Sequence, residues 1–327
     1  MSDRPPRGRL VAAYATVYLV WGSTYLAILY AIETLPPFLM GAARFLTAGA
    51  ILVAWAMARG ARRPTPAQVK GAAIVGGFLL LGGNGAVLWA EQRVPSGITA
   101  LLVAILPLWM VILERLGPDR RRPTRRTLVG VLIGIVGMVV LIGPGALVGD
   151  GNVPIVGAIV LLLGSLSWGI GSLYTQRAAL PASPALASGM QMLAGGFMLG
   201  GLGLATGEAS RGLAVGGASA ASLLALAYLV VFGSLVAYSA FSWLLRVEPP
   251  SRVATYAYVN PVVAVFLGWA FAGEALTTAT MVAAAIIVGA VALIVSGRRQ
   301  GPPGGAASEP VPAPAPHARA ARRSRVA

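Results

Sequence analysis

The sequence predicts an all-α polytopic membrane protein with ten transmembrane helices, and its composition and charge spacing indicate this fold class. Of its 327 residues, 57% are hydrophobic and only 11% are charged, with a mean hydropathy of +0.78. Soluble globular domains carry about 25% charged residues. A chain this apolar is therefore expected to have lipid as its solvent.

The predicted spans are the stretches that lack charge, because a helix needs roughly 20 apolar residues to cross a bilayer. Nine stretches have this length, namely 10–32, 71–90, 94–113, 127–149, 151–176, 178–207, 212–245, 253–273 and 275–297. A tenth, 34–58, is equally long and apolar but contains Arg44. Prolines lie at or near five of the helix starts, where the missing N–H is harmless; they are Pro37, Pro95, Pro154, Pro184 and Pro250.

The basic residues predict the orientation of the chain. There are 25 Lys and Arg against 10 Asp and Glu, which gives a net charge of +15. With ten spans, every basic residue except Arg44, Arg93 and Arg211 falls on one side of the membrane. Cytoplasmic loops are enriched in Lys and Arg, so we expect both termini to be cytoplasmic in a plasma or inner membrane. The positive charge is then an orientation signal, and no nucleic acid partner is expected.

The two halves of the sequence match each other, which predicts a duplicated five-helix unit. Shifted by 147 or 154 residues, tryptophans and prolines of the first half align with those of the second in the pairs Trp21/Trp168, Pro37/Pro184 and Pro107/Pro261. Because five is odd, the second unit is inserted inverted, as in many secondary transporters. We expect the repeats at 10–143 and 154–297 and a disordered cytoplasmic tail at 298–327.

Short motifs in both halves resemble the EamA family of the drug/metabolite transporter superfamily. They are YLVWGSTYLAI at 18–28 and VPSGITALLVAILP at 94–107 in the first half, and Trp168-Gly169, Asn260-Pro261 and Gly273-Glu274 in the second. The resemblance covers about residues 10–297. It implies a ten-helix transporter of two inverted five-helix repeats, often an exporter of amino acids or other small metabolites.

Several function classes are disfavoured by residue types that the chain lacks. It has no Cys, a single His at position 317 and a single Lys, Lys70, which is not in a Walker-type phosphate loop. We therefore expect no metal, no cofactor and no built-in ATPase. An intramembrane lipid-modifying enzyme would need paired carboxylates, a metal or an activated nucleophile within the spans, and the sequence offers none.

The predicted function is a secondary transporter, an exporter, that moves small metabolites such as amino acids or drug-like solutes by alternating access. The partners are then the bilayer and a small-molecule substrate, and the chain is not an enzyme. Two alternatives stay open: a passive channel or scramblase, and the intramembrane lipid-modifying enzyme. A passive pathway would not need two matched halves.

Arg44 is the most informative single residue, because a charge within a span is costly and usually faces a cavity or a partner. It lies seven positions past Pro37, about 10 Å deep at 1.5 Å per residue. One interpretation is a cationic anchor for a substrate carboxylate or another anion. The alternatives are a structural ion pair with Glu33 or Glu91, and a side chain that snorkels outward. The repeat places Gln191 at the matching position.

Polar and aromatic side chains at similar depths predict the rest of a substrate pocket. Together with Arg44 and Gln191, the candidates are Trp21, Tyr25, Asn84, Trp168, Tyr238, Tyr256 and Asn260. Packing within the helix bundle is the alternative role for the aromatic residues. Pro107 and Pro261 lie inside spans and predict kinks, either static or used in gating. Glu91, at the outer end of its span, is a weak candidate for ion coupling, and a solvated helix-end charge is the alternative.

Overall fold

The computed structural model describes residues 6–116, 125–142, 154–211, 217–248, 253–254 and 256–296. These residues fold into helices and connecting turns, with no strand among them. The helices are α1 (Arg7–Ile32), α2 (Pro37–Ala58), α3 (Pro66–Ala90), α4 (Ser96–Val103), α5 (Leu106–Leu116), α6 (Arg125–Ile142), α7 (Ile155–Thr175), α8 (Pro184–Ala205), α9 (Glu208–Arg211), α10 (Ala220–Val247), α11 (Tyr256–Ala272) and α12 (Thr278–Ser296).

Seven helical segments of the described chain are long and apolar enough to cross a membrane. They are α1, α2, α3, the α4–α5 segment, α7, α8 and α10. The other three predicted spans are occupied by α6, α11 and α12, of 18, 17 and 19 residues. The described residues are thus all-helical with seven helices able to cross a membrane, whereas the count of ten spans, the inverted repeats and the cytoplasmic termini stay predictions. The predicted tail at 298–327 lies outside the described residues.

Local capping explains where several helices begin. Thr65 caps α3 with a reciprocal capping box: its hydroxyl accepts from the Gln68 amide at 3.3 Å, and the Gln68 side chain accepts from the Thr65 amide at 3.0 Å. Ser183 precedes Pro184 and accepts from the Leu186 amide at 3.3 Å at the start of α8. Such side chains satisfy N–H groups that have no partner within the helix.

The helix pairs of the first half have counterparts in the second. The sequence repeat relates α1 to α7, α2 to α8, α3 to α10, the α4–α5 segment to α11, and α6 to α12. Helix α1 packs on α10 and α11, and α7 packs in the same way on α3 and the α4–α5 segment. Helices α2 and α8 pack on each other, as do α6 and α12. This exchange of equivalent contacts is what a duplicated chain produces.

Glycines bring α2 and α8 into close contact. A Cβ atom added at Gly49 would lie 2.8 Å from the carbonyl oxygen of Gly189. One added at Gly189 would lie 3.0 Å from the carbonyl oxygen of Gly49. Small residues let helix backbones approach closely where lipid provides no hydrophobic drive for association. The two halves are therefore held together here backbone to backbone.

Two π-helical segments interrupt the long helices at matching places. One runs Gly77–Asn84 within α3, and the other runs Leu229–Tyr238 within α10. A shift of 154 residues places Asn84 on Tyr238, so the two segments end on equivalent residues. A π segment widens the helix and redirects its side chains, and such segments are frequent at functional sites. Both border the cavity described below.

The two span prolines have different local structures. The helix is interrupted at residues 104–105, directly before Pro107, so that the span is divided into α4 and α5. Pro261 lies inside the continuous helix α11. The predicted kink is thus an interruption in the first half, and the equivalent position of the second half has no such break. A role in gating stays a prediction for both residues.

Candidate functional site

A cavity of about 70 Å³ lies between α1, α2, α3, α7, α10, α11 and the α4–α5 segment. The structure brings eight of the nine predicted substrate-binding residues to its walls: Trp21, Tyr25, Arg44, Asn84, Trp168, Tyr238, Tyr256 and Asn260. The remaining wall is mostly apolar. Both halves of the chain contribute, so the cavity is a feature of their interface.

Arg44 is the charged group of this cavity. Its side chain is only 4% exposed, its Nε donates to the Ser234 hydroxyl at 2.8 Å, and its guanidinium carbon lies 4.7 Å from the centre of the Phe45 ring. The described residues show no ion pair to Arg44. Outward snorkelling is excluded by this burial, and Glu33, one of the two predicted ion-pair partners, is exposed at the end of α1. A guanidinium has five donors, and the cavity adjoins them.

An aromatic cluster around Trp21 forms another wall. The Trp21 ring meets Trp168 and Tyr256 edge to face, with centroids 5.5 and 5.3 Å apart, and Phe241 at 4.8 Å. Its indole N–H donates to the carbonyl oxygen of Gly233 at 3.2 Å. These geometries are the ones aromatic pairs prefer. Trp21 is therefore held rigidly and offers a fixed apolar surface.

Gly233 and Ser234 link Arg44 to the π segment of α10. A Cβ atom added at Gly233 would lie 2.8 Å from Arg44 Nη2, so this glycine leaves the space that the guanidinium fills. Ser234, the next residue, accepts from Arg44 Nε. The widened turn therefore supplies both the space and the acceptor that orient the cation.

Gln191 is the predicted site residue that does not line the cavity. Its side-chain oxygen accepts from the Tyr238 hydroxyl at 2.8 Å, and Tyr238 stands between it and the cavity. Both side chains are buried, so the hydrogen bond fixes the position of the Tyr238 ring. Gln191 thus supports a wall residue, although the repeat makes it the counterpart of Arg44.

The amide side chains add a few polar groups to the cavity. Asn260 satisfies its neighbours when its amide nitrogen donates to the carbonyl oxygens of Tyr18 and Tyr256, at 3.0 and 3.2 Å. Asn84, from the π segment of α3, lines the cavity as well. A small number of fixed polar groups in an apolar wall is typical of a ligand pocket.

Sequence patterns do not predict the contacts that Phe45, Ser234 and Gly233 make with Arg44. Phe45 follows Arg44 directly in the chain, and its ring packs against the guanidinium. Ser234 has no polar counterpart in the first half, because a shift of 154 residues places it on Leu80. Neither repeat alignment nor hydropathy carries a signal for these contacts.

Two carboxylates at the predicted outer side cap helices across the interface between the halves. Glu274 accepts from the Ser96 amide at 2.6 Å, the Ser96 hydroxyl at 2.7 Å and the Gly97 amide at 3.0 Å, at the start of α4. Glu208 accepts from the amides of Phe38 and Leu39 at 3.1 and 2.9 Å, at the start of α2. Negative charge is favourable at a helix N-terminus, so each carboxylate ties one half to the other.

Glu91 differs from these two carboxylates because it has no such partners. It follows the apolar segment Pro66–Ala90 directly and is 4% exposed. Neither of its oxygens has a hydrogen-bond partner in the described part of the chain. Burial raises the pKa of Glu91 well above its usual range; the negative charge of Glu274 raises it further, and the positive charge of Arg44 opposes this. The alternative of a solvated helix-end charge does not hold.

Comparison with known proteins identifies the family of this chain. A profile described as the EamA-like transporter family matches residues 9–143 and again residues 155–296. The chain belongs to the EamA-like transporter family. The resemblance predicted from the sequence motifs is thereby confirmed.

Several relatives of this EamA-like transporter are transporters by name. It is 40% identical over 290 residues to the uncharacterized inner membrane transporter YedA of Escherichia coli K12, over 88% of this chain and 91% of that one. It is 27% identical to Protein PecM of Dickeya dadantii, over 84% and 88% of the two chains. A solved crystal structure shares the fold, with a TM-score of 0.62 at 21% identity, over 89% of this chain and 99% of that one.

Proposed function

We propose that this EamA-like transporter is a secondary transporter, an exporter of the inner membrane, that carries compact carboxylate-bearing metabolites through the cavity beside Arg44. Amino acids and short organic acids are the substrate classes that fit this description. The observation that carries the proposal is a buried guanidinium at the wall of a cavity, with no ion pair to it among the described residues.

The charge of Arg44 defines the chemistry of the substrate. Removing a cation from water is costly unless an anion or several hydrogen bonds compensate. Ser234 accepts from one donor, and the Phe45 face contacts the guanidinium. A carboxylate in the cavity would accept from the remaining donors in the bidentate geometry that Arg favours. The favourable binding of the anion would then offset the cost of burying the cation.

The size of the cavity favours a compact solute. The cavity of about 70 Å³ exceeds the roughly 10–15 Å³ that a cavity needs to admit one water molecule. Drug-sized ligands occupy cavities of about 300–1,000 Å³. In the conformation described, the cavity therefore suits a short acid or a small amino acid. A drug-like solute would require the helices to separate.

The walls of the cavity would orient such a solute. With the carboxylate on Arg44, its apolar part would lie against the ring of Trp21. The amide oxygen of Asn260 and the side chain of Asn84 would accept from an amino or hydroxyl substituent. One strong charge contact with a few hydrogen bonds gives selectivity for acids and tolerance of different substituents.

The transport cycle that we propose is alternating access between two inverted halves. The cavity lies between the halves, as expected for inverted-repeat transporters. Glu208 and Glu274 join the halves at the predicted outer side, and Gln68 of the first half donates to the carbonyl oxygen of Leu180 in the second half, at 3.5 Å, at the predicted inner side. Breaking one set at a time would open the cavity to one face at a time.

Counterflow in liposomes tests the proposed activity. Purified protein is reconstituted with unlabelled solute inside, and the entry of labelled solute is followed for a panel of small amino acids, 2-oxo acids and their neutral amides. The proposal expects saturable counterflow of the acids. Linear flux without counterflow would indicate the passive channel or scramblase, and conversion of lipid without solute movement would indicate the enzyme.

Arg44→Ala examines the anchor in the same assay. We expect loss of counterflow with normal expression and a normal melting temperature. Arg59→Ala is the matched control, because Arg59 also lies over an aromatic ring, that of Trp55 at 5.5 Å, but is exposed and does not line the cavity. Loss of folding in Arg44→Ala alone would assign a structural role to Arg44 and refute the proposal.

A further inference from the structure

Glu91 is the buried ionisable group that the cavity does not explain. Its side chain is 4% exposed, and both carboxylate oxygens lack hydrogen-bond partners among the described residues. Buried polar groups are nearly always hydrogen-bonded, and an exception calls for an explanation. An ionised carboxylate in this position would be strongly disfavoured unless a nearby cation compensated its charge. A carboxyl group that takes up a proton removes this cost.

Three titratable groups from other elements interact electrostatically with Glu91. They are Arg44 on α2, Tyr25 on α1 and Glu274 in the segment before α12. Glu274 is occupied by the start of α4, and Tyr25 lines the cavity. On its own segment, Arg93 is turned away: its guanidinium lies 4.3 Å from the Trp89 ring and donates to the Trp89 carbonyl oxygen. Arg44 is thus the cation that acts on both Glu91 and the cavity.

We propose that Glu91 is the proton-binding site of the transporter, and that a proton on Glu91 and a carboxylate substrate on Arg44 are carried together in the same direction. This inference rests on the proposed function, because it assumes that the substrate carboxylate binds Arg44. Glu91 itself does not line the cavity and acts on the substrate only through charge.

The reason for the coupling is that one cation faces two anions. Without substrate, Arg44 and ionised Glu91 balance each other. When a monocarboxylate binds Arg44, the second negative charge has no cation, and a proton from water neutralises it. The charges balance in two states. In one, no substrate is bound and Glu91 is ionised; in the other, the carboxylate is bound to Arg44 and Glu91 is protonated. The other two states leave a net charge in a dry interior, which is costly.

The balance fixes the stoichiometry and the electrical character of transport. One proton accompanies one monocarboxylate, and no net charge crosses the membrane. The proton enters Glu91 from water on the side where the substrate binds and returns to water where it is released. Export down an outward solute gradient would therefore carry protons outward as well, and an inward proton gradient would drive the reverse.

Pyruvate, a compact monocarboxylate, is the probe for the test. Wild-type protein, Glu91→Gln and the control Glu33→Gln are reconstituted in liposomes that contain a pH-sensitive dye. Glu33 is an exposed glutamate at the end of α1, so Glu33→Gln removes the same negative charge at a site that is not buried. Pyruvate influx, dye acidification and pyruvate–pyruvate exchange are measured between pH 5.5 and pH 8.5 (a range of roughly one and a half units on each side of neutrality).

The wild type and Glu33→Gln should acidify the lumen by about one proton per pyruvate, with no effect of an imposed membrane potential. Glu91→Gln, which resembles the protonated state, should retain exchange, lose its dependence on pH and lose the proton-coupled influx. Pyruvate influx without protons in the wild type, or proton-coupled influx in Glu91→Gln, overturns the inference and leaves the proposed function intact.

Infrared difference spectroscopy decides the proton site independently of transport. A protonated-carboxyl band that titrates in the wild type, is absent from Glu91→Gln and gains intensity at neutral pH when pyruvate is added supports the inference. The absence of such a band overturns it. If the wild type shows no pyruvate exchange, pyruvate is not a substrate and the proposed function fails for this solute. The titration of the carboxyl band then still decides whether Glu91 binds the proton.

Discussion

Gly233→Ala moves the proposed anchor without altering any charged residue. The added Cβ atom would lie 2.8 Å from Arg44 Nη2 and 3.2 Å from Thr24 Cγ2, whereas ordinary contacts begin at 3.4 Å. The guanidinium is the far end of a flexible side chain, so it shifts by several tenths of an ångström and the fold is retained. Its 2.8 Å hydrogen bond to Ser234 then lengthens, and its donors leave the orientation described above.

The size of the effect follows from the hydrogen bonds at stake. One charge-assisted hydrogen bond contributes about 1.5–3 kcal/mol, and about 1.4 kcal/mol corresponds to a factor of ten in affinity. Misaligning one bond between Arg44 and a carboxylate should therefore raise the half-saturation concentration for pyruvate counterflow by about 10- to 100-fold. The melting temperature should change by only a few degrees, because the added atom meets a movable side chain.

Counterflow at a series of pyruvate concentrations measures this effect, and Gly201→Ala is the matched control. A Cβ atom at Gly201 meets nothing within 4 Å, so that variant should behave like the wild type. Unchanged half-saturation in Gly233→Ala, with normal folding, would show that the position of the guanidinium does not control binding. The reasoning about Arg44 would then be refuted.

Two further substitutions test how the halves are joined. Glu274→Ala removes the acceptor of three hydrogen bonds at the start of α4. Because leaving buried donors unpaired costs about 1–3 kcal/mol, the melting temperature in detergent should fall. The control Glu33→Ala changes an exposed glutamate and should not lower it. Gly49→Ala should destabilise by about 1–3 kcal/mol through overpacking, because the new atom meets backbone of Gly189 that cannot move away. Gly201→Ala again serves as the control, and equal melting temperatures would contradict the close contact of α2 and α8.

Much of the fold and eight of the 17 residues of the cavity wall could be predicted from hydropathy and the internal repeat. The depth of Arg44 and Trp21 within their spans already placed them near the interface of the halves. The contacts of Ser234 and Phe45 with Arg44 could not be predicted, because the first is a small polar residue among many and the second is an ordinary apolar one. Only the three-dimensional contact with the guanidinium distinguishes them.

The remaining differences have local physical causes. Repeat alignment gives Gln191 the position of Arg44, but a shared position does not give a shared role, since Gln191 is bonded to Tyr238 behind the wall. The π segments follow no simple sequence period, so the redirection of side chains in α10 could not be predicted. Glu91 follows an apolar span, as solvated charges often do, and its burial depends on tertiary packing that no local pattern records.

Competition between pyruvate and its neutral methyl ester tests most directly whether Arg44 binds a carboxylate. Both solutes have similar shape, and they differ in the charge that Arg44 is proposed to recognise. Wild-type protein should bind pyruvate about 30-fold or more tightly than the ester, since truncating a buried charge contact costs about 2–5 kcal/mol. In Arg44→Gln that preference should disappear while the protein stays folded. A wild type that does not distinguish the two, or an Arg44→Gln variant that still does, would contradict the central claim.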